Sequence, residues 1–272
     1  MSDGESAFES FVAKLTQAHP EFPIVRVFVA PVAREALTAF ECLVHELAQT
    51  AFHLPESSIA AVKLQWWRDE LARASRGEAR HPVTRSLGGA AHGIDAAACD
   101  ALIAAMLALR EAGPPVDFAA QRVEAERIYA PIARIEQSVL GTSEAGAIAS
   151  LQARALHHLV RELARTPFDD EAVRATLPLA RLARHQLTRD ALAQPGPARD
   201  AAVRDQLADV AQALAAVDPS GANLVTRVRW RLDRALVASA GKGRDPMPML
   251  WRGLGRAPLA TFWHAWREAS RG

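Results

Sequence analysis

Residues 63–71 read KLQWWRDEL, and two adjacent tryptophans inside a helical pattern restrict this chain more than any other stretch. Leu64, Trp67 and Leu71 stand at i, i+3 and i+7 and share one helix face. That spacing describes a core helix with a large aromatic anchor. Lys63, Asp69 and Glu70 fall mostly off the face. Trp66 points to its flank, where an indole N–H can find an acceptor.

The helical period continues along the chain. It predicts helices over 1–19, 32–54, 56–75, 96–112, 118–140, 143–165, 198–217, 223–240 and 258–269, with one or two more inside 169–193. A short helix is expected around 84–91, inside a loop. Ser143 is placed as an N-cap. Pro131 lies inside the 118–140 pattern and is expected to kink it. Residues 24–29, IVRVFV, are the one β-like alternation; without a partner strand they read as an extended connector. Residues 194–197 read as a linker and 241–248 as a loop. With no repeat and no break in composition, the expectation is a single all-α domain over 1–272, in which 1–24 form an N-terminal helix and connector.

Bulk composition excludes several classes. Hydrophobic residues make up 50% and charged residues 23%, as in a soluble globule with a real core. A formal net charge of +1 gives no global field for nucleic acid. Cys42 and Cys99 show no metal-ligand spacing and read as buried free thiols in a reducing compartment. The N-terminus has no basic segment followed by an apolar one, and no window approaches 18 uncharged apolar residues. A cytoplasmic protein is therefore expected. P-loop, HExxH, GxSxG and GxGxxG patterns are absent.

Five stretches carry a resemblance. KLQWWRDEL resembles the RLQWWRE-type segment of the squalene/phytoene synthase family. Residues 39–71 resemble the region of that family's first aspartate-rich motif and the helix after it. Residues 128–141, from Ile128-Tyr129 to Leu140-Gly141, resemble its tyrosine-containing helix. ARALHHLVREL at 153–163 resembles its second aspartate helix, and 173–192 its GRxxLP segment. With the Trp- and Arg-rich tail, the resemblance covers roughly residues 25–270. It implies the isoprenoid synthase helical bundle around a central cavity, and the head-to-head joining of two prenyl diphosphates with Mg²⁺ held by facing carboxylates.

The chain departs from that pattern where the metal would sit. Ala48, Gln49 and Phe52 occupy the expected acidic positions of the first motif. At the second, Arg161-Glu162 stand for Arg-Asp, and Thr166 replaces the later aspartate. The reading therefore leans to a non-catalytic protein that binds an isoprenoid or lipid, or acts as an assembly partner. Relatives that share this wording and lack the first motif are linked to respiratory complex I assembly. Two alternatives stand beside it. One is a true synthase using Mg²⁺ on Glu41, Glu46 and Glu162; the other is an interaction module with a filled cavity. No cofactor is expected unless the synthase alternative holds. The resemblance makes Tyr129, His158, Arg161, Glu162 and Arg174 ligand-binding candidates, and Glu46 and Glu162 metal candidates; no catalytic residue is assigned. His158 and Glu162 share a face at i, i+4. Residues 221–272 hold ten Lys and Arg against three acids, interleaved with Trp230, Trp251, Trp263 and Trp266. That mixture marks a surface for peripheral contact with an anionic membrane, or tryptophans packed in the core with arginines at their rims. A protein partner fits equally.

Overall fold

The computed structural model describes residues 3–88, 93–165, 177–255, 257 and 259–270. Among these, thirteen α-helices and no strand are found: α1 Asp3–Ala18, α2 Phe22–Val27, α3 Pro31–Phe52, α4 Ser57–Ala74, α5 Pro82–Gly88, α6 Ala96–Glu111, α7 Phe118–Leu140, α8 Glu144–Arg165, α9 Leu179–Arg184, α10 Pro197–Ala216, α11 Leu224–Lys242, α12 Met247–Leu254 and α13 Ala260–Ala269. A short 3-10 turn covers Asp190–Ala193.

Local chemistry sets most of the ends. Asp95, Asp117 and Asn223 cap α6, α7 and α11, each accepting a backbone N–H three residues on. Ser143 Oγ accepts from Gly146 N at 3.1 Å and caps α8. Gly141 ends α7 at φ 67°, a left-handed position that costs glycine nothing. Among the described residues, no helix is long and apolar enough to cross a membrane.

Two apolar clusters form the interior. The first gathers α1 to α7 around Phe40, Leu43, Leu64, Trp67 and Leu71. The second lies among α8, α10, α11 and α12, around Val160, Leu207, Leu214 and Trp230. Trp67 is buried as its spacing requires. Its ring meets His81 at 4.9 Å and Trp66 at 5.1 Å. Among the described residues, the buried Trp67 Nε1 finds no hydrogen-bond partner, whereas Trp66 is half exposed.

Several expectations need correction. Residues 22–27 are helical, not extended. Pro23 supplies the fixed φ of a first helical turn. β-Branched residues cost a helix about 0.5 kcal/mol each. Burying Phe22 and Val25 returns roughly 1.5–3 kcal/mol apiece, so tertiary packing wins. The loop expected over 241–248 is interrupted by α12, which starts at Met247 with Pro248 in its first turn. Of the helices expected inside 169–193, the described part shows the six-residue α9 and the 3-10 turn; 166–176 lie outside the described residues.

Glu70 is also corrected. Placed off the apolar face by spacing, it is fully buried. Its Oε1 accepts from Arg80 N at 2.8 Å, His81 N at 2.8 Å and Thr84 Oγ1 at 2.6 Å. Its Oε2 accepts from Arg73 Nη2 at 2.8 Å. Burial alone would raise its pKa, but the bonds from Thr84, His81, Arg73 and Arg80 prevail and hold it at about 2. The carboxylate thus ties α4 to the segment that starts α5. Glu70→Ala is expected to lower unfolding free energy by about 3 kcal/mol, because it orphans buried donors. Glu70→Gln keeps Oε1 as an acceptor and should cost about half as much. Urea titration of both variants checks this.

Candidate functional site

A stripe along α3 faces a stripe along α8. Glu41, Val44, His45, Ala48, Gln49 and Phe52 follow one another at helical spacing, and His53 caps the end of α3. Opposite stand Arg154, His157, His158, Arg161, Glu162 and Arg165, all within one band of α8. Leu15 and His19 close one side, Tyr129 of α7 the floor, and Arg229 of α11 the far wall. The cleft holds a cavity of about 60 Å³.

A buried ion network organises the inner end. Glu41 Oε1 accepts from Arg154 Nη2 at 2.5 Å, and Oε2 from Arg229 Nη1 at 2.6 Å. Arg229 Nε donates to Glu21 Oε1 at 2.7 Å. Arg154 Nε reaches Glu136 Oε2 at 3.2 Å, which also accepts from Ser150 Oγ at 2.6 Å. Asn223 Nδ2 donates to the other Glu136 oxygen at 2.8 Å. The Arg154 guanidinium lies 5.2 Å from the Phe40 ring centre. Burial pushes Glu41 up, yet Arg154 and Arg229 outweigh it and hold the carboxyl at about 2. Burial prevails at Glu136, whose pKa is raised.

The outer end is cationic and imidazole-lined. Arg161 Nη2 donates to Ala18 O at 2.9 Å. Arg165 Nη1 meets His53 Nε2, which lies 3.5 Å from Glu162 Oε1. Among the described residues, no carboxylate comes within 4.0 Å of the Arg161 or Arg165 guanidinium. His158 packs on Phe52 at 4.3 Å and on Tyr129 at 5.7 Å. His157 Nδ1 is 2.8 Å from Asp233 Oδ2, and its buried Nε2 has no hydrogen-bond partner among the described residues. His19 Nδ1 stands 3.4 Å from Glu21 Oε1, outside hydrogen-bond geometry. Burial, then neighbouring positive charge, depresses the imidazoles. His45 falls to about 4 and His53 and His158 to about 3, and His19 lies well below the usual range. These four are neutral at pH 7. Burial raises the Tyr129 hydroxyl, so it is a neutral donor.

The sequence-derived candidates separate. Tyr129, His158, Arg161 and Glu162 line the cleft together. Glu46 does not: its nearest cation is Lys14, at 4.0 Å. Arg174 and Thr166 lie outside the described residues. Arg154, Arg229, His19, His45 and His53 were missed. Only the recurrence of Arg154 in the same helical stripe as His158, Arg161 and Arg165 could have pointed to the first of them.

Mg²⁺ asks for several carboxylate oxygens converging from two helices. Here both Glu41 oxygens are held by guanidinium groups, Glu162 supplies one carboxylate on α8, and Glu46 faces elsewhere. Among the described residues, no group of three His, Cys, Asp or Glu is placed to share a metal ion. The donors among the described residues do not fit that ion.

A helical bundle with a polar cleft between paired helices is the architecture of isoprenoid synthases, and the comparisons agree. The squalene/phytoene synthase family model matches residues 15–245, and the chain belongs to that family. Among solved structures, squalene synthase HpnC from Alicyclobacillus acidocaldarius superposes with a TM-score of 0.57 at 17% identity, covering 94% of this chain and 97% of that one. A dehydrosqualene synthase in complex with ligand gives 0.63 at 10% identity, with 92% and 96% covered. Such low identity speaks for the fold alone. No curated protein matches the chain.

Two outcomes follow from the network. Glu41→Gln leaves two buried guanidinium groups short of charge and is expected to cost about 3–5 kcal/mol in denaturant unfolding. Because the folded pKa is about 2, the Glu41 contribution is complete above 4.5 and fades as pH falls toward 2. The histidines act in a higher window. Below 6.5 the unfolded chain takes up protons that the folded cleft refuses, so stability drops between pH 6.5 and 5, by up to about 2 kcal/mol per shielded imidazole. Urea titrations at the two pH values should show that fall, and His158→Phe should reduce it by one imidazole's share, up to about 2 kcal/mol.

Proposed function

We propose that this chain is a non-catalytic member of the squalene/phytoene synthase family, which binds the anionic head group of an isoprenoid or lipid and works by association, as an assembly factor does. The observation that carries this is the Glu41 clamp. Departure of a diphosphate requires its growing charge to be neutralised, in this family by metal ions on facing carboxylates. The inward carboxylate of α3 is instead consumed by Arg154 and Arg229. Toward the cleft, Glu162 is then one carboxylate among the guanidinium groups of Arg161 and Arg165 and neutral imidazoles, a lining that favours an anion.

Arg161 and Arg165 are the groups for that contact, since a guanidinium matches phosphate oxygens in a two-pronged fashion. Tyr129 on the floor and His158 on the α8 side add neutral donors to the cleft. Size supports the same reading. Cavities that enclose a whole ligand run to about 300–1,000 Å³. The room here suits a head group rather than two prenyl chains. The synthase alternative has the fold in its favour, and fold alone does not carry an activity.

Purified protein incubated with farnesyl or geranylgeranyl diphosphate, Mg²⁺ and NADPH is expected to give no coupled hydrocarbon and no released pyrophosphate. A C30 or C40 product by mass spectrometry would overturn the proposal in favour of transfer. Calorimetric titration with pyrophosphate in EDTA is expected to show binding, weakened about tenfold or more by Arg161→Ala or Arg165→Ala. Absence of heat with the wild-type chain would reject the head-group site and leave the filled-cavity module.

A further inference from the structure

Helix α13 is built inside out. Its inward positions are Thr261, Ala265 and Glu268, while Phe262, Trp263 and Trp266 face solvent at 60%, 55% and 47% exposure. Leu259, just before it, is 99% exposed. Burial of one large apolar side chain is worth roughly 1.5–3 kcal/mol, so this sequence left to itself would turn its aromatics inward. Charge holds it the other way. Glu268 Oε1 accepts from Arg231 Nε at 2.7 Å, and the Glu268 carbonyl accepts from Arg227 Nη2 at 3.2 Å. Arg227 Nε also lies 3.7 Å from the carboxylate. Two arginines of α11 thus fix the rotation of α13 about its own axis.

The outward aromatics form a ridge. Trp263 and Trp266 lie 5.0 Å apart, and Phe262 meets Phe28, just past α2, edge to face at 5.0 Å. Val27 beside it is 67% exposed. Among the described residues of 246–270, Arg252 and Arg267 stand against a single acid, Glu268, which is buried and paired. Arg267 and Arg252 are exposed.

We propose that α13, with the end of α2, is a membrane-docking surface that seats Phe262, Trp263 and Trp266 at the head-group level of an anionic bilayer. Tryptophan has an apolar body and a polar N–H, and it favours that zone. Arginines of one sign around it add attraction to anionic lipid. A second copy of the chain would bring like charges together. A protein partner would ask for directional polar groups among the aromatics, and the ridge offers one-sign charge instead.

The test is flotation with phosphatidylcholine vesicles, with and without phosphatidylglycerol, read together with quenching by brominated lipids. The wild-type chain is expected to float with anionic vesicles only, to be released by high salt, and to lose tryptophan emission to the bromines. The Trp263→Ser, Trp266→Ser double variant should bind about tenfold more weakly or worse, and Arg267→Glu should weaken binding. Trp66→Phe, on the half-exposed tryptophan of α4, should change nothing. Undiminished flotation of a folded double variant would overturn the proposal. So would unquenched wild-type emission, equal binding to neutral vesicles, or a wild-type dimer in light scattering that the double variant abolishes. The quenching arm uses the unaltered chain and stands even if the double variant does not fold.

Discussion

One carboxylate between two guanidinium groups sets the character of this bundle. Glu41 joins α3 to Arg154 of α8 and Arg229 of α11, and those arginines extend the network to Glu136 of α7 and Glu21 ahead of α2. A buried ion network of this kind adds little over an apolar packing of equal volume, but it is costly to break. Its contribution is registry. Oil-like faces of leucine and alanine slide over one another cheaply. A guanidinium with two fixed carboxylate partners does not. The helices are therefore held at one rotation, and the same rotation aims the second half of α8 at the second half of α3.

The cleft's electrostatics descend from that placement. Burial depresses the imidazoles, and with Glu41 neutralised the positive field left between α3 and α8 adds to it. A site evolved for facing carboxylates and metal would reverse each of these signs. Phe52 packs on His158, and Gln49 and Ala48 line the wall beside it, so aromatic and imidazole contacts occupy much of the space between α3 and α8.

Much of this was legible in the sequence. Amphipathic periods placed nearly every long helix, because α3, α4, α7, α8 and α11 each bury a regular stripe. Residues 22–27 escaped because their β-branched content imitates a strand, and α12 because it is short and begins among prolines. At the cleft, Tyr129, Arg161 and Glu162, singled out from their motif positions, and His158, from its spacing to Glu162, line the walls. Glu46 was grouped with them by proximity in sequence, yet it lies five residues from Glu41, about 140° around a helix, and turns away. His45, at about 40° from Glu41, stays on the face. Arg154 and Arg229 were hidden among 32 lysines and arginines, where no local feature separates a buried guanidinium from a solvated one. Their partners come from distant segments, and only the folded chain brings them together.

Helix α11 joins the two ends of the argument. Arg227, Arg229 and Arg231 alternate along it, so Arg229 points about 200° from Arg227 while Arg231 returns to within about 40° of it. Arg229 enters the ion network behind the cleft, and the other two hold Glu268 and so the rotation of α13. One helix therefore distributes its positive charge to opposite sides. It spends one guanidinium on cancelling the carboxylate of α3 and two on keeping an aromatic ridge exposed against its own hydrophobicity. A chain under no demand beyond stability would bury that ridge, since a few tenths of a kcal/mol per surface ion pair do not repay three exposed aromatic rings. The pins are partly buried and stronger than that, but they still have to work against the hydrophobic effect, and the outward tryptophans are the part of this fold whose cost points to a partner outside it.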